Sequence, residues 1–121
     1  MSEKTKLKIG EFSKLMQVTV KTLRHYEQMG LLIPYEVDKW TGYRYYTIEQ
    51  MQRLNAIREL KGMGFSLEEI KDLYDDEYHE PSISQINAKL TECNRQIRTL
   101  LKRRQQLILT VNSKKNIKTM E

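Results

Sequence analysis

The chain has 121 residues, of which 39% are apolar and 31% are charged, and its formal net charge is +5. This length suits one domain, or a small domain followed by a long helix, and is too short for most two-domain enzymes. A single cysteine excludes an intrachain disulfide, and the lack of an apolar run of roughly 18 residues, as a membrane span requires, predicts a soluble, cytoplasmic protein.

The first third of the chain has the pattern of a helix-turn-helix. Ile9, Phe12 and Leu15 repeat every three residues, which predicts a short helix of about two turns. After a short turn, Thr19 stands where its hydroxyl can accept a free backbone N–H of a second helix. Gly30 is expected to end that helix. Two short helices joined by a tight turn predict a helix-turn-helix.

Residues 35–46 are expected to form a β-hairpin. Aromatic and β-branched residues lie on both sides of a glycine-containing turn, which is typical of two antiparallel strands. A hairpin directly behind a helix-turn-helix is interpreted as a wing. Strand alternation places Tyr43 and Tyr45 on one face and Arg44 and Tyr46 on the other, so all four cannot face one partner.

Two capping boxes mark the start of a third and a fourth helix, at Thr47 with Gln50 and at Ser66 with Glu69. The third helix is expected to present an apolar face made of Ile48, Met51, Leu54, Ile57 and Leu60. The fourth is short, and its apolar positions are Leu67, Ile70 and Leu73. An acidic run followed by Pro81 is expected to end it.

A fifth, long helix with a heptad seam is predicted from residue 82 onward. Its apolar positions alternate three and four residues apart, which is the pattern of a coiled coil. The predicted dimerisation seam consists of Ile83, Ile86, Leu90, Cys93, Ile97, Leu100, Leu107 and Val111. Arg104 lies in the same register, and Leu101 and Ile108 widen the stripe. A lone helix of this kind exposes its seam, so a second chain must cover it.

The predicted organisation is a winged helix-turn-helix head at 7–76, an acidic hinge at 77–81, a dimerisation coiled coil at 82–112 and a basic tail at 113–121. The tail is expected to be frayed or disordered. Charge is unevenly distributed, with −6 on residues 68–80 and +7 on residues 81–121. A basic head suits a polyanionic partner, although its own excess of charge is small.

Five stretches then occur in a fixed order: IGEFSK at 9–14, Val18-Thr19, TLRHYEQMGLLIP at 22–34, TGYRYY at 41–46 and GFSLEEI at 64–70. In this order they resemble the MerR family of bacterial transcription regulators. The resemblance covers residues 7–75 densely and the coil in pattern only. It implies a mainly α fold, in which a winged helix-turn-helix DNA-binding head of four helices and a β-hairpin wing precedes a long antiparallel dimerising helix.

The resemblance implies a homodimeric transcription regulator that binds a near-palindromic promoter operator and distorts the promoter spacer. RNA polymerase at the promoter is the further partner it implies. A ligand-independent or partner-controlled DNA-binding factor and a coiled-coil adaptor remain alternatives. An enzyme is not expected, because the sequence has no nucleophile–base set, paired carboxylate site or phosphate loop. No cofactor and no metal are expected, and Cys93 is interpreted as a small core residue of the seam.

The helix that begins at Val20 would be the recognition helix. The candidate DNA-binding residues are Thr19, Lys21, Thr22, Arg24, His25 and Tyr26 in the helix-turn-helix, Lys39, Trp40, Tyr43, Arg44 and Tyr45 in the wing, and Lys61 after the third helix. Arg44 is the strongest wing candidate. Four alternatives stay open: Tyr26 packs in the core, His25 is only solvated, Trp40 folds back on the hairpin, and Lys61 is an ordinary surface lysine.

Three departures from the family pattern matter. Gln17 stands where a glycine is usual in the turn of the helix-turn-helix, so a side chain must tolerate that backbone. His25 replaces a common tyrosine, and its contact with phosphate depends on protonation. Tyr35-Glu36 replaces an arginine-bearing stretch, which removes one phosphate contact.

The wing motif resembles members that sense drugs or other small organic compounds, and those carry an effector domain after the coil. The chain stops where that domain would begin. A fragment, sensing through the coil ends or a partner protein, and no sensing remain alternatives, so a small organic inducer is only one expectation. Antiparallel pairing would also bring the basic residues 102–115 of one chain to the acidic segment 68–80 of the other.

Overall fold

The computed structural model describes residues 5–75 and 80–120, and among these residues it contains five helices and three short strands. In chain order these are β1 Lys6–Lys8, α1 Ile9–Met16, α2 Val20–Met29, β2 Glu36–Val37, β3 Arg44–Thr47, α3 Ile48–Gly62, α4 Leu67–Tyr74 and α5 Ile83–Met120. The chain divides into two units at residues 80 and 81: a head and the helix α5. The predicted mainly helical fold is confirmed.

The helix-turn-helix forms from α1 and α2 as the sequence predicts. Thr19 is the N-cap of α2, and its Oγ1 accepts a hydrogen bond from the Thr22 amide at 3.0 Å. Gly30 ends α2 in the left-handed region, at φ 74°. Gln17 ends α1 in the same region, at φ 53° and ψ 50°. The chain therefore holds a glutamine in the conformation that usually requires glycine.

Two arginines of α3 hold the ends of these helices. Arg58 donates through Nη2 to the Gln17 carbonyl at 3.1 Å, and Arg53 donates through Nε to the Leu31 carbonyl at 3.0 Å. The Arg53 guanidinium also lies 4.0 Å from the centroid of the Tyr74 ring. Carbonyls at helix C-termini lack partners within their own helix. The third helix supplies partners for both halves of the helix-turn-helix.

The wing is part of a three-stranded antiparallel sheet with the order β1-β3-β2. The predicted hairpin is present as β2 and β3, with Val37 opposite Arg44. The strand β1 was not predicted, because Lys-Leu-Lys gives too few apolar residues to show alternation. Leu7 lies opposite Tyr46 in the register of β1 and β3. The start of the chain is thereby joined to the wing.

The core of the head contains Phe12, Leu23, Tyr26, Leu31, Leu32, Tyr46, Leu54, Ile57, Leu60, Phe65, Ile70 and Leu73. The rings of Phe12 and Tyr46 stack with their centroids 4.6 Å apart, which joins α1 to β3. The Tyr46 hydroxyl is buried without a hydrogen-bond partner among the described residues. Burial raises the pKa of Tyr46 to about 12, and the nearby Glu27 carboxylate adds to this increase.

Two predicted core positions are corrected. Leu15 is 61% exposed, and Ile48 is also exposed. In α1 the inward residues are Ile9, Phe12 and Met16, so the face follows the true helical spacing of three and four rather than three alone. Ile48 is the first residue of α3, one turn before the helix packs against the core. Both expected capping boxes are present, at Thr47 and at Ser66.

The fifth helix begins at Ile83, and Ser82 and Gln85 exchange the two hydrogen bonds of a capping box. It continues to Met120, so the expectation of a frayed tail after Asn112 is wrong. Residues 113–120 contain lysines, which favour helix, and neither glycine nor proline, which would end it. Of the predicted acidic hinge, residues 77–79 lie outside the described residues.

Replacement of Gln17 by glycine should stabilise the head. The side chain is exposed, so its removal costs little packing, while glycine relieves the left-handed strain. We expect the free energy of unfolding to rise by about 0.5–1 kcal/mol in urea denaturation. Gln17→Val is the matched control and should lower it, because a β-branched residue tolerates this conformation poorly. A glycine variant less stable than the parent would contradict this account of the turn.

Candidate nucleic-acid interface

The outward face of α2 is basic and open. Lys21, Arg24, His25 and Gln28 are exposed, whereas Leu23 lies in the core on the opposite side. Leu23 and the outward residues separate onto two faces because the helix repeats every 3.6 residues. Among the described residues, the Arg24 side chain has no hydrogen-bond partner. Its guanidinium is therefore available to an external acceptor.

The start of α2 presents a hydroxyl as well as cations. Thr19 Oγ1 accepts the Thr22 amide and also donates to Thr22 Oγ1 at 2.8 Å. With both roles of the Thr19 hydroxyl occupied, Thr19 acts on the helix rather than on a ligand. Thr22 is half-buried and accepts that bond, so its own hydroxyl proton remains for an acceptor outside the head.

Tyr26 requires a correction. It was a candidate DNA-binding residue, but only 3% of its surface is exposed and it belongs to the core. The physical reason is its position three residues after Leu23, on the inward face of α2. The neighbouring His25 ring is exposed, with its centroid 6.4 Å from that of Tyr26. Of these two neighbouring rings, only that of His25 is exposed to the surroundings.

The tip of the wing is a turn organised by Asp38. Its carboxylate Oδ1 accepts hydrogen bonds from the Trp40 amide at 2.8 Å and from the Thr41 amide at 2.9 Å. These bonds, first that of Thr41 and then that of Trp40, hold the pKa of Asp38 below its ordinary value. The turn leaves Lys39 exposed and Trp40 95% exposed. Trp40 therefore does not fold back on the hairpin.

The three remaining wing candidates have different environments. Tyr43 is exposed, and Lys8 Nζ lies 4.6 Å from its ring centroid. Tyr45 is half-buried in the middle strand, with Lys8 on one side and Glu36 on the other. Arg44 donates through Nε to Glu27 Oε1 at 2.7 Å. This bond and the Glu27 charge raise the pKa of Arg44 above its ordinary value.

A groove of about 630 Å³ lies between the start of α1, the outward face of α2 and the wing. It is lined by Lys8, Ile9, Gly10, Glu11, Lys14, Arg24, Gly42, Tyr43 and Arg44. Four of these side chains are cationic and one is acidic. Lys8 and Lys14 are not among the predicted DNA-binding residues, and Lys8 reaches the wing through the strand β1, which was not predicted either. An anionic ligand with an extended backbone suits such a groove.

The other candidates lie apart from this groove. Lys61 is exposed in the last turn of α3 and does not line the groove.

Within the described residues, no group of three metal-ligating side chains is present, and no helix is both long and apolar enough to span a membrane. Cys93 is a free, exposed cysteine.

The predicted seam residues of α5 are exposed in the single chain. Ile83, Ile86, Leu90, Ile97, Leu100, Leu107 and Val111 all have large exposed apolar surfaces. Leu109 lies outside the seam register, yet it is as exposed as the seam residue Leu100. Exposure in one chain therefore does not distinguish the seam from the rest of the helix, and only the heptad spacing does.

Comparison with known proteins identifies the family. A family profile described as MerR HTH family regulatory protein matches residues 7–77. The chain belongs to the MerR family. A second profile, described as MerR, DNA binding, matches residues 51–109 of this MerR-family chain. The family predicted from the sequence motifs is confirmed, and so is the prediction of a regulator rather than an enzyme, because the matching family and the relatives are transcription regulators.

Three individual proteins are similar to this MerR-family chain. The multidrug-efflux transporter 1 regulator of Bacillus subtilis (strain 168) is 45% identical over 93 residues, which cover 77% of this chain and 32% of that protein. The HTH-type transcriptional regulator ZntR of Escherichia coli (strain K12) is 33% identical over 106 residues, covering 77% of this chain and 74% of ZntR. The chain thus spans about a third of the length of the first relative.

The third similarity is to a solved structure, described as the cryo-EM structure of the EcmrR-DNA complex in EcmrR-RPo. It superposes with a TM-score of 0.81 at 34% identity, over 91% of this MerR-family chain and 40% of that one. The helical head, its small sheet and the long C-terminal helix therefore recur in a protein solved on DNA.

Acidification should release the wing turn. Because the pKa of Asp38 in the folded head lies below its ordinary value of 3.8, the carboxylate stabilises the turn above that value, and this stabilisation is lost as the pH falls through the lower, folded pKa. In an NMR titration the Trp40 and Thr41 amides should shift together with a midpoint below 3.8. Asp38→Asn should remove this transition. A midpoint at or above 3.8 would contradict the described hydrogen bonds.

Proposed function

We propose that this chain binds a promoter operator as a homodimer in the bacterial cytoplasm and regulates transcription by distorting the promoter spacer. The observation that carries the proposal is the open basic face of α2, which exposes Lys21 and Arg24 and whose Arg24 lines a groove together with the wing. Membership of the MerR family supports assigning this face to DNA. ZntR, which this chain matches over 74% of its length, is likewise named as a transcriptional regulator.

The proposed division of labour follows from the geometry of the head. Lys21, Thr22, Arg24 and His25 on α2 would enter the major groove, where an arginine can pair with the O6 and N7 atoms of guanine. Lys39, Trp40 and Tyr43 in the wing, and Lys8 and Lys14 in the groove, would contact the flanking phosphates. Lys61 remains a candidate for a separate phosphate contact.

The proposed homodimer rests on α5. Its seam residues occupy a and d positions over nearly thirty residues, and a lone helix with such a stripe exposes apolar surface that a partner helix would bury. A symmetric dimer would place two heads on two half-sites. RNA polymerase at the promoter is the further proposed partner, in line with the EcmrR-RPo assembly of the similar structure. A small organic inducer is proposed because the relative from Bacillus subtilis regulates a multidrug-efflux transporter.

Arg24→Gln should weaken operator binding by about tenfold or more, since one bidentate base contact contributes about 1–3 kcal/mol. The change is measured by fluorescence anisotropy of a labelled promoter duplex across a salt series. If Arg24 pairs with phosphate instead, the slope of affinity against salt should fall by about one.

The matched control is Arg98→Gln, an exposed arginine on α5 that lies outside the seam. It removes the same charge from the other unit of the chain and should leave the affinity nearly unchanged. Equal losses for Arg24→Gln and Arg98→Gln would point to nonspecific attraction by net charge. Unchanged binding by Arg24→Gln would contradict the contact assigned to Arg24, whereas the absence of salt-dependent duplex binding by the parent would favour a coiled-coil adaptor over a DNA-binding regulator.

Two leucines of α5 test the dimer. Leu100 lies in the seam and Leu109 outside it, yet 55% and 56% of their respective surfaces are exposed in the single chain. Leu100→Lys should raise the dimer dissociation constant by about a hundredfold or more, because it places a charge at two points of a symmetric interface. Leu109→Lys should have little effect. Sedimentation equilibrium measures both, and equal behaviour of the two variants would argue against the heptad seam.

A further inference from the structure

Glu27 is a carboxylate on the helix proposed to meet DNA. It lies on α2 one turn after Arg24, and 25% of its side chain is exposed. A negative charge close to DNA phosphates opposes binding unless another group neutralises it. An acidic residue at this position therefore needs a compensating role in the head.

Arg44 supplies that compensation. Its Nε donates to Glu27 Oε1 at 2.7 Å, and the pair joins α2 to β3, the second strand of the wing. Both side chains are largely covered, with 29% of Arg44 and 25% of Glu27 exposed. An ion pair in such surroundings is screened less than an exposed one and is fixed in geometry by its hydrogen bond. It can therefore fix the distance between the recognition helix and the wing.

That distance matters because the groove between the two elements is lined from both sides. Arg24 faces it from α2, and Tyr43 and Arg44 face it from the wing. A DNA backbone that contacts both elements requires them at one separation. A change in the separation would misplace one set of contacts while leaving the other intact.

We propose that Glu27 is a positioning residue, which sets the wing against the recognition helix through Arg44 and does not itself touch DNA. The proposal rests on the proposed DNA-binding function. It assigns Arg44 a different main role from the direct wing contact expected from the sequence. It also predicts that removal of the Glu27 charge weakens DNA binding, whereas electrostatic repulsion alone predicts tighter binding.

The decisive variant is Glu27→Gln. The substitution removes a negative charge near a polyanion. If Glu27 had no positioning role, its replacement would leave DNA binding unchanged or make it tighter. As a positioning residue, its loss should weaken binding of the promoter duplex by about tenfold, the equivalent of about 1.4 kcal/mol. Unchanged or tighter binding overturns the proposal. Thermal unfolding of each variant shows that the heads compared are folded.

Glu36→Gln is the matched control. Glu36 is a carboxylate of the wing whose Oε2 pairs with Lys6 Nζ at 2.8 Å, within the sheet and not with α2. It removes the same charge from the same head, and it should leave the affinity unchanged or slightly higher. A loss equal to that of Glu27→Gln would assign the effect to any wing ion pair and overturn the specific role of Glu27.

A readout without DNA separates this proposal from the proposed function. Hydrogen exchange at the backbone amides of residues 39–43 should be faster in Glu27→Gln than in the parent or in Glu36→Gln, because the wing is released from α2. Unchanged exchange overturns the proposal whether or not the chain binds DNA. If the parent binds no duplex but the exchange differs as expected, the DNA-binding function fails and the positioning role stands.

A double-mutant cycle assigns the effect to the pair. In the Arg44→Gln background, Glu27→Gln should cause no further loss of affinity and no further increase in exchange, because the bond is already absent. Additive effects of the two substitutions would mean that the residues act separately. That result would overturn the coupling on which the positioning role depends.

Discussion

The stack of Phe12 on Tyr46 is the contact on which the geometry of the head depends. It packs the first helix of the helix-turn-helix against β3, the wing strand at the centre of the sheet, with ring centroids 4.6 Å apart. Because β3 also pairs with β1 and β2, it joins the start of the chain and the other wing strand to the core. The recognition helix packs into the same core through Leu23 and Tyr26. Interior packing therefore holds the recognition helix and the base of the wing in one head, and the Glu27–Arg44 ion pair joins the two elements outside the core.

Much of this arrangement was predictable, because its signals are local. Thr19 and Gly30 bound the recognition helix through capping and through a left-handed backbone, and both effects depend on residue type at one position. The two capping boxes and the turn around Asp38 are of the same kind. The heptad spacing of α5 is likewise visible in the sequence, although its partner is not.

The unpredicted features depend on contacts between residues far apart in sequence. The strand β1 exists because β3 offers it an edge, and its three residues carry no pattern of their own. The burial of Tyr26 and the pairing of Arg44 with Glu27 follow from how α2 and the wing meet. An arginine in a wing and a tyrosine in a recognition helix suit DNA equally well by residue type. Only the packing distinguishes the side chains that face outward from those that hold the head together.

The most direct test of the account is the binding of the unmodified chain to duplexes from the promoter region of its own gene. Fluorescence anisotropy at several salt concentrations, with a scrambled duplex beside each promoter duplex, gives affinity, selectivity and stoichiometry together. The account predicts selective binding that saturates at two chains per duplex and weakens steeply as salt rises. Weak binding that is equal for all duplexes, or saturation at one chain per duplex, would contradict it.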